Sequence, residues 1–117
     1  MSIIIVDDNV EICTLITEIL VAEGLKVRPC TNPTIIFEMI NEQKPKLVIT
    51  DMLMSGIDGR NIVKTLKSNK ETENIRILMM SAHPNSRKIS LEVGADAHIS
   101  KPFEIDEFTS QVKDMLK

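Results

Sequence analysis

Three short, continuously apolar runs constrain this chain more than any other feature: Ile3-Ile4-Ile5-Val6, Leu47-Val48-Ile49 and Ile77-Leu78-Met79-Met80. A strand with one wet face alternates apolar and polar residues, so an uninterrupted run marks a strand covered on both faces. Two further segments have edge character. Lys26-Val27-Arg28-Pro29-Cys30 alternates and carries a proline, which cannot donate to a ladder. Ala97-His98-Ile99-Ser100 is short and half polar. Segments of helical spacing separate these five strands, the pattern of βα units around a parallel sheet.

The first helix, over residues 9 to 23, sets Ile12, Leu15, Ile16 and Ile19 on one stripe and stops at Gly24. Asn32-Pro33 is a cap followed by a first-turn proline, opening a helix that carries Ile36, Met39 and Ile40. A third helix runs from about Arg60 to Ser68 with Ile62, Val63 and Leu66 inward. The fourth, near Asn85 to Val93, is the least apolar and is expected to pack least tightly. The last, from about Glu104, aligns Ile105, Phe108, Val112 and Met115. Three central strands with the second and fifth at the edges fit a flavodoxin-like, doubly wound five-stranded parallel sheet in the order 2-1-3-4-5 with five helices.

At 117 residues the chain holds one domain, residues 1–117. With 43% hydrophobic and 26% charged residues it can fill one core. A formal net charge of −3 argues against non-specific nucleic-acid binding, which needs a basic face. Two cysteines, Cys13 and Cys30, make no disulfide framework and point to a reduced, cytoplasmic setting with both thiols packed as small hydrophobes. The apolar start at Ile3 is too short for a signal peptide or a membrane span.

Open α/β sheets place their ligand site beyond the carboxyl ends of the strands. Asp7 and Asp8 follow the first strand, Asp51 the third, Ser81-Ala82 close the fourth, and Lys101-Pro102 follow the fifth. Three carboxylates in one pocket resist ionising together unless a cation sits among them. Magnesium suits such a site, taking a few carboxylate oxygens and keeping water or phosphate in its other positions. A carboxylate beside it can attack phosphorus, giving an aspartyl-phosphate, and a lysine and a hydroxyl can then neutralise the phosphoryl oxygens.

The Asp7-Asp8 pair, Asp51 through Gly59, Ser81-Ala82, and Gly94 through Phe103 together resemble the motifs of response-regulator receiver domains, in order and each at the end of the right strand. The resemblance covers the chain from Ile3 to the last helix. It implies that Asp51 is the phosphoacceptor, that Asp8 binds magnesium directly and Asp7 mainly through water, and that the backbone carbonyl of Leu53 is a further ligand. It implies that Ser81 is the switch hydroxyl with the small Ala82 after it, that Lys101 contacts the phosphoryl group, and that Lys101-Pro102 is a cis bond. The implied donor is a sensor histidine kinase or histidine phosphotransfer protein, with self-association or effector docking through the fourth helix, fifth strand and fifth helix. Neither nucleic acid nor membrane is an expected partner.

Two positions depart from the family pattern. Ser55 stands where a proline is usual, so the loop after the third strand is expected to be less rigid. His98 stands where a tyrosine or phenylalanine is usual. It is expected to be a partly exposed edge-strand residue, leaving the switch to Ser81 and backbone shifts; the alternative is a neutral ring that moves inward on phosphorylation.

Other readings of these residues are weaker. An Asp-Asp pair alone is an ordinary helix N-terminus, but Asp51 and Lys101 occupy the matching strand ends. Asp58-Gly59 reads as a turn. His83 and His98 lie too far apart to announce zinc, there is no glycine-rich phosphate loop, and Lys64, Lys67 and Lys70 read as a solvated helix face. An aspartate-nucleophile phosphatase would want an acid two residues past the nucleophile, where Leu53 stands. A docking module without phosphorylation would not need the full set of acids, hydroxyl and lysine. The expected function is therefore a signalling phosphoacceptor, which catalyses only its own phosphotransfer and dephosphorylation.

Overall fold

The computed structural model describes residues 2–83 and 85–117; Met1 and Pro84 lie outside the described residues. The apolar runs form β1 (Ser2–Val6), β3 (Leu47–Asp51) and β4 (Arg76–Ser81), flanked by the edge strands β2 (Lys26–Cys30) and β5 (Ala97–Ser100). All pair in parallel, in the order β2-β1-β3-β4-β5. The helices are α1 (Val10–Ala22), α2 (Ile36–Gln43), α3 (Gly59–Lys67), α4 (Ser86–Glu92) and α5 (Ile105–Met115). This is the flavodoxin-like sheet that the alternation of runs and helices implies.

Successive side chains of a strand point to opposite faces, so each apolar run feeds two cores. Ile4, Val6, Val48, Ile77 and Met79 pack under α2, α3 and α4 with Ile36, Ile62 and Leu66. Ile3, Ile5, Ile49, Leu78 and Met80 pack under α1 and α5 with Cys13, Ile16, Leu20, Phe108 and Val112. Both cysteines are buried free thiols. Burial pushes Cys13 up to about 11 and raises Cys30 as well, so both behave as packing groups.

Several expectations need correction. The buried stripe of α1 is Cys13, Ile16 and Leu20; Leu15 is 54% exposed, because a step of one residue turns a helix by about 100° away from the stripe. Ile105, at the first turn of α5, is likewise exposed, whereas Phe108 and Val112 are buried. Asn32 caps a 3-10 turn over Pro33–Ile35, and α2 begins only at Ile36. Lys67 is no solvated side chain: its ammonium donates to the carbonyls of Glu73 and Ile75 and to Asp96, whose carboxylate also accepts from Ile77 N–H. His98 is buried, not partly exposed: its Nε2 lies 2.9 Å from Ser86 Oγ at the start of α4. The edge strand is covered on that side because α4 presents the small polar residues Ser86 and Ser90 inward.

Candidate phosphoacceptor and cation site

Parallel pairing in register carries the sequence positions of the polar residues into space. Val6 pairs with Thr50, Asp51 with Met80, and Ser81 with Ser100, so the residues next along each strand all emerge at one edge. The order β2-β1-β3 sends the chain off in opposite directions from β1, and the crevice opens between β1 and β3. Asp7 and Asp8 leave β1 there and Asp51 ends β3 beside them. One oxygen of each carboxylate lies within 4.8 Å of one oxygen of the others.

Lys101 is the counter-charge. Its Nζ is 3.0 Å from Asp51 Oδ1 and 3.4 Å from Asp7 Oδ2. The loop that carries it contains the cis Lys101-Pro102 bond and is pinned by Phe103, whose ring stacks on buried Phe108 at a centroid distance of 4.8 Å. Asp7 is almost wholly buried, Asp51 is half-buried and Asp8 is exposed. Asn9 N–H donates to Asp7 Oδ1 at 2.9 Å. Ser55 N–H donates to Asp8 Oδ2 at 2.8 Å from the loop after β3.

The electrostatics follow from burial and partners. Burial pushes the Asp51 carboxyl up; Lys101 pulls it back, and the charges of Asp7 and Asp8 push it further up. Asp8 is held below the usual carboxylate range chiefly by the Ser55 amide. Burial opposes the Lys101 charge, but the hydrogen bond and charge of Asp51, aided by Asp7, prevail and raise it. Three carboxylates against one ammonium leave a formal −2 in a space of a few ångströms. Hard oxygen donors with an uncompensated double charge, one of them open to solvent, suit a hard divalent cation.

Other residues singled out in the sequence lie around this cluster. Leu53, exposed, makes an isolated antiparallel bridge with Asp58 in the loop after β3. Leu53, Ser81, Ala82, His83 and Lys101 line one cavity over Asp51. Ser81 Oγ accepts His83 N–H at 3.0 Å. His98 is not brought to this cavity.

Sequence reasoning missed Gly59. A Cβ built there would stand 2.1 Å from the carbonyl oxygen of Asp51, so the first turn of α3 lies against the backbone of Asp51. The Asp-Gly pair was legible as a turn; Asp58 indeed caps α3, accepting Arg60 N–H, but close approach to a distant strand leaves no local signal. The groove beside the site was missed too. Ile12, Leu15, Ile16, Ala82, Pro102 and Phe103 line an apolar surface adjoining Lys101.

The sheet order 2-1-3-4-5, with an acid cluster and a lysine at its carboxyl edge, is the arrangement of a receiver domain. Residues 3–113 match the response regulator receiver domain model, and the chain belongs to that family. Sporulation initiation phosphotransferase F of Bacillus subtilis (strain 168) is 37% identical over 117 residues, covering 98% of this chain and 93% of that protein. The transcriptional regulatory protein CpxR homolog of Haemophilus influenzae is 31% identical, across 99% of this chain but 50% of its own length. The crystal structure of the receiver domain of NtrX from Brucella abortus superposes with a TM-score of 0.89 at 30% identity, covering 97% of each chain. Among the described residues no helix is long and apolar enough to cross a membrane.

Proposed function

We propose that this chain accepts a phosphoryl group on Asp51 from a phosphohistidine, in a magnesium-dependent reaction, and relays the event as a change of conformation. The observation that carries the reading is the Lys101 ammonium 3.0 Å from Asp51 with two further carboxylates alongside. Asp7, Asp8, Asp51 and the Leu53 carbonyl would hold the cation. Bound there, magnesium neutralises the acids and draws charge from the phosphoryl oxygens.

The chain's own residues do the rest. A carboxylate oxygen of Asp51 attacks phosphorus, the P–N bond to the donor imidazole breaks, and its electron pair returns to the ring. The product is an acyl phosphate. Lys101 exchanges its bond to the free carboxylate for one to a phosphoryl oxygen. Ser81 already accepts the His83 N–H; a hydroxyl that accepts one bond keeps its hydrogen for donation, so a small approach lets it bond a second phosphoryl oxygen while Ala82 leaves room. Regulation, rather than turnover of a substrate pool, is the output.

A protein donor must reach Asp51, and the apolar groove beside Lys101 supplies the footing. Exposed Leu15 together with Ile12, Pro102 and Phe103 offers the donor's helical surface burial next to the reacting atoms. The buried free thiols Cys13 and Cys30 are consistent with a cytoplasmic site of action.

The test is direct. Incubation with acetyl phosphate and magnesium is expected to add one phosphate by intact mass, and Asp51→Ala and Asp8→Ala to abolish the adduct. An adduct of undiminished yield on Asp51→Ala, or full labelling in excess EDTA, overturns the reading.

A further inference from the structure

The loop between β3 and α3 touches the acid pair of the β1–α1 loop through Ser55, 47 residues distant in sequence from Asp8. The contact is made by the main chain: Ser55 N–H donates to Asp8 Oδ2 at 2.8 Å, and the Ser55 hydroxyl adds a weaker interaction with the same carboxylate. Asp8 is exposed, so nothing but its bonds keeps it from the many rotamers open to a surface aspartate. The loop itself turns at Gly56, with φ 90°, and is tied off by the Leu53–Asp58 bridge. Ser55 therefore stands on a braced turn and reaches across the mouth of the crevice to the most exposed of the three acids.

We propose that Ser55 is a positioning residue for the cation: its N–H holds Asp8 in place before the metal arrives. The role rests on the metal-binding reading given above. An ionised carboxylate has about four lone-pair directions. The Ser55 N–H occupies one of them at Oδ2, and the exposed carboxylate keeps others for a cation. Hydrogen-bonded partners of ligating carboxylates orient them, and their loss commonly weakens metal affinity by about 10- to 100-fold. The bond also ties Asp8 to the loop that bears Leu53, so two proposed ligands from different strands are set relative to each other. A proline at position 55 has no N–H to give. The departure from the family's usual residue, which on sequence alone reads as a looser loop, thus adds a tether.

Amide spectra of the isotopically labelled, unphosphorylated chain during a magnesium titration test this without relying on activity. In the wild type the Ser55 amide is expected to be protected from solvent exchange both without metal and at saturating magnesium. Ser55→Ala keeps the N–H and is expected to bind magnesium within about threefold of wild type, whereas Ser55→Pro is expected to lose about tenfold or more. Solvent exchange of the Ser55 amide switched on by magnesium shows that the cation displaces the bond, and overturns the proposal even where Ser55→Pro fails to fold. Wild-type affinity in a folded Ser55→Pro overturns it as well. A wild-type chain whose Asp8 and Asp51 amides do not respond to magnesium at all removes the metal reading itself, and this role with it.

Discussion

Asp51 is held from three sides: Lys101 bonds its carboxylate, Met80 O accepts the N–H of the next residue, Met52, and Gly59 lies against its carbonyl. The last contact is the least forgiving, because it is backbone against backbone. Gly59→Ala puts a methyl where an oxygen already is, and either α3 or the end of β3 must move. Overpacking of this kind costs about 1–3 kcal/mol, so urea unfolding is expected to shift by that amount. Phosphorylation by acetyl phosphate is expected to slow as well, since the moved group is the proposed acceptor. A Gly59→Ala chain with wild-type stability and rate would show that the approach is relieved at no cost.

At the scale of elements, α4 is the lightly held helix. Its buried residues are Ser86 and Ser90, and Ser90 Oγ has no hydrogen-bond partner among the described residues; Ile89 and Val93 add partly buried apolar contact. Its side chains bond β5 through Ser86 and His98. Burial first, and the charge of Arg87 second, push His98 below 6.5. The unfolded chain then takes up a proton that the folded chain resists, so stability is full above pH 6.5 and falls as pH drops from 6.5 toward the lowered folded value. Urea midpoints of the wild type are expected to decline between pH 7 and about 5.5, and His98→Phe to remove that slope. Equal slopes in the two proteins would mean that His98 is not the group responsible. On the opposite face, α1 offers Leu15 to the groove beside Lys101. Leu15→Asp is expected to cut transfer from a phosphohistidine protein by tenfold or more, a loss of about 1.4 kcal/mol of recognition. Labelling by acetyl phosphate should not change, because the small donor needs no groove. Parallel losses with both donors would place the effect in the site instead.

For the molecule as a whole, the site is a cost that the fold carries. Three carboxylates share one edge with a single ammonium, while the two cores on either side of the sheet supply the stability. Binding a cation to the folded state alone stabilises it by mass action. Magnesium is therefore expected to raise the melting temperature in a concentration-dependent way. Asp51→Asn removes one of the repelling charges: it is expected to melt higher than wild type without metal and to respond weakly to magnesium. A wild-type response in that variant would exclude Asp51 from the cation site.

The sequence by itself determined the sheet, its order and which residues stand at its carboxyl edge. Apolar runs of three or four residues, short for a helix and rich in isoleucine and valine, suit strands covered on both faces, and parallel strands in register bring their carboxyl ends to one edge. Residues that sit just past a strand in sequence, such as Asp7, Asp51, Ser81 and Lys101, therefore sit together in space. What depended on distant parts of the chain was decided only by the tertiary structure. The polarity of β5 cannot say which helix roofs His98, and the answer is α4, through Ser86. The spacing of α3 cannot say that Lys67 bonds Asp96 across the base of the sheet. Glycine at 59 and serine at 55 look like ordinary turn residues until the strand end and the carboxylate they meet, 8 and 47 residues away, are in place. Local pattern encodes which face is buried and where a strand stops; contact between separate loops is set by how the helices dock, and no local period records it.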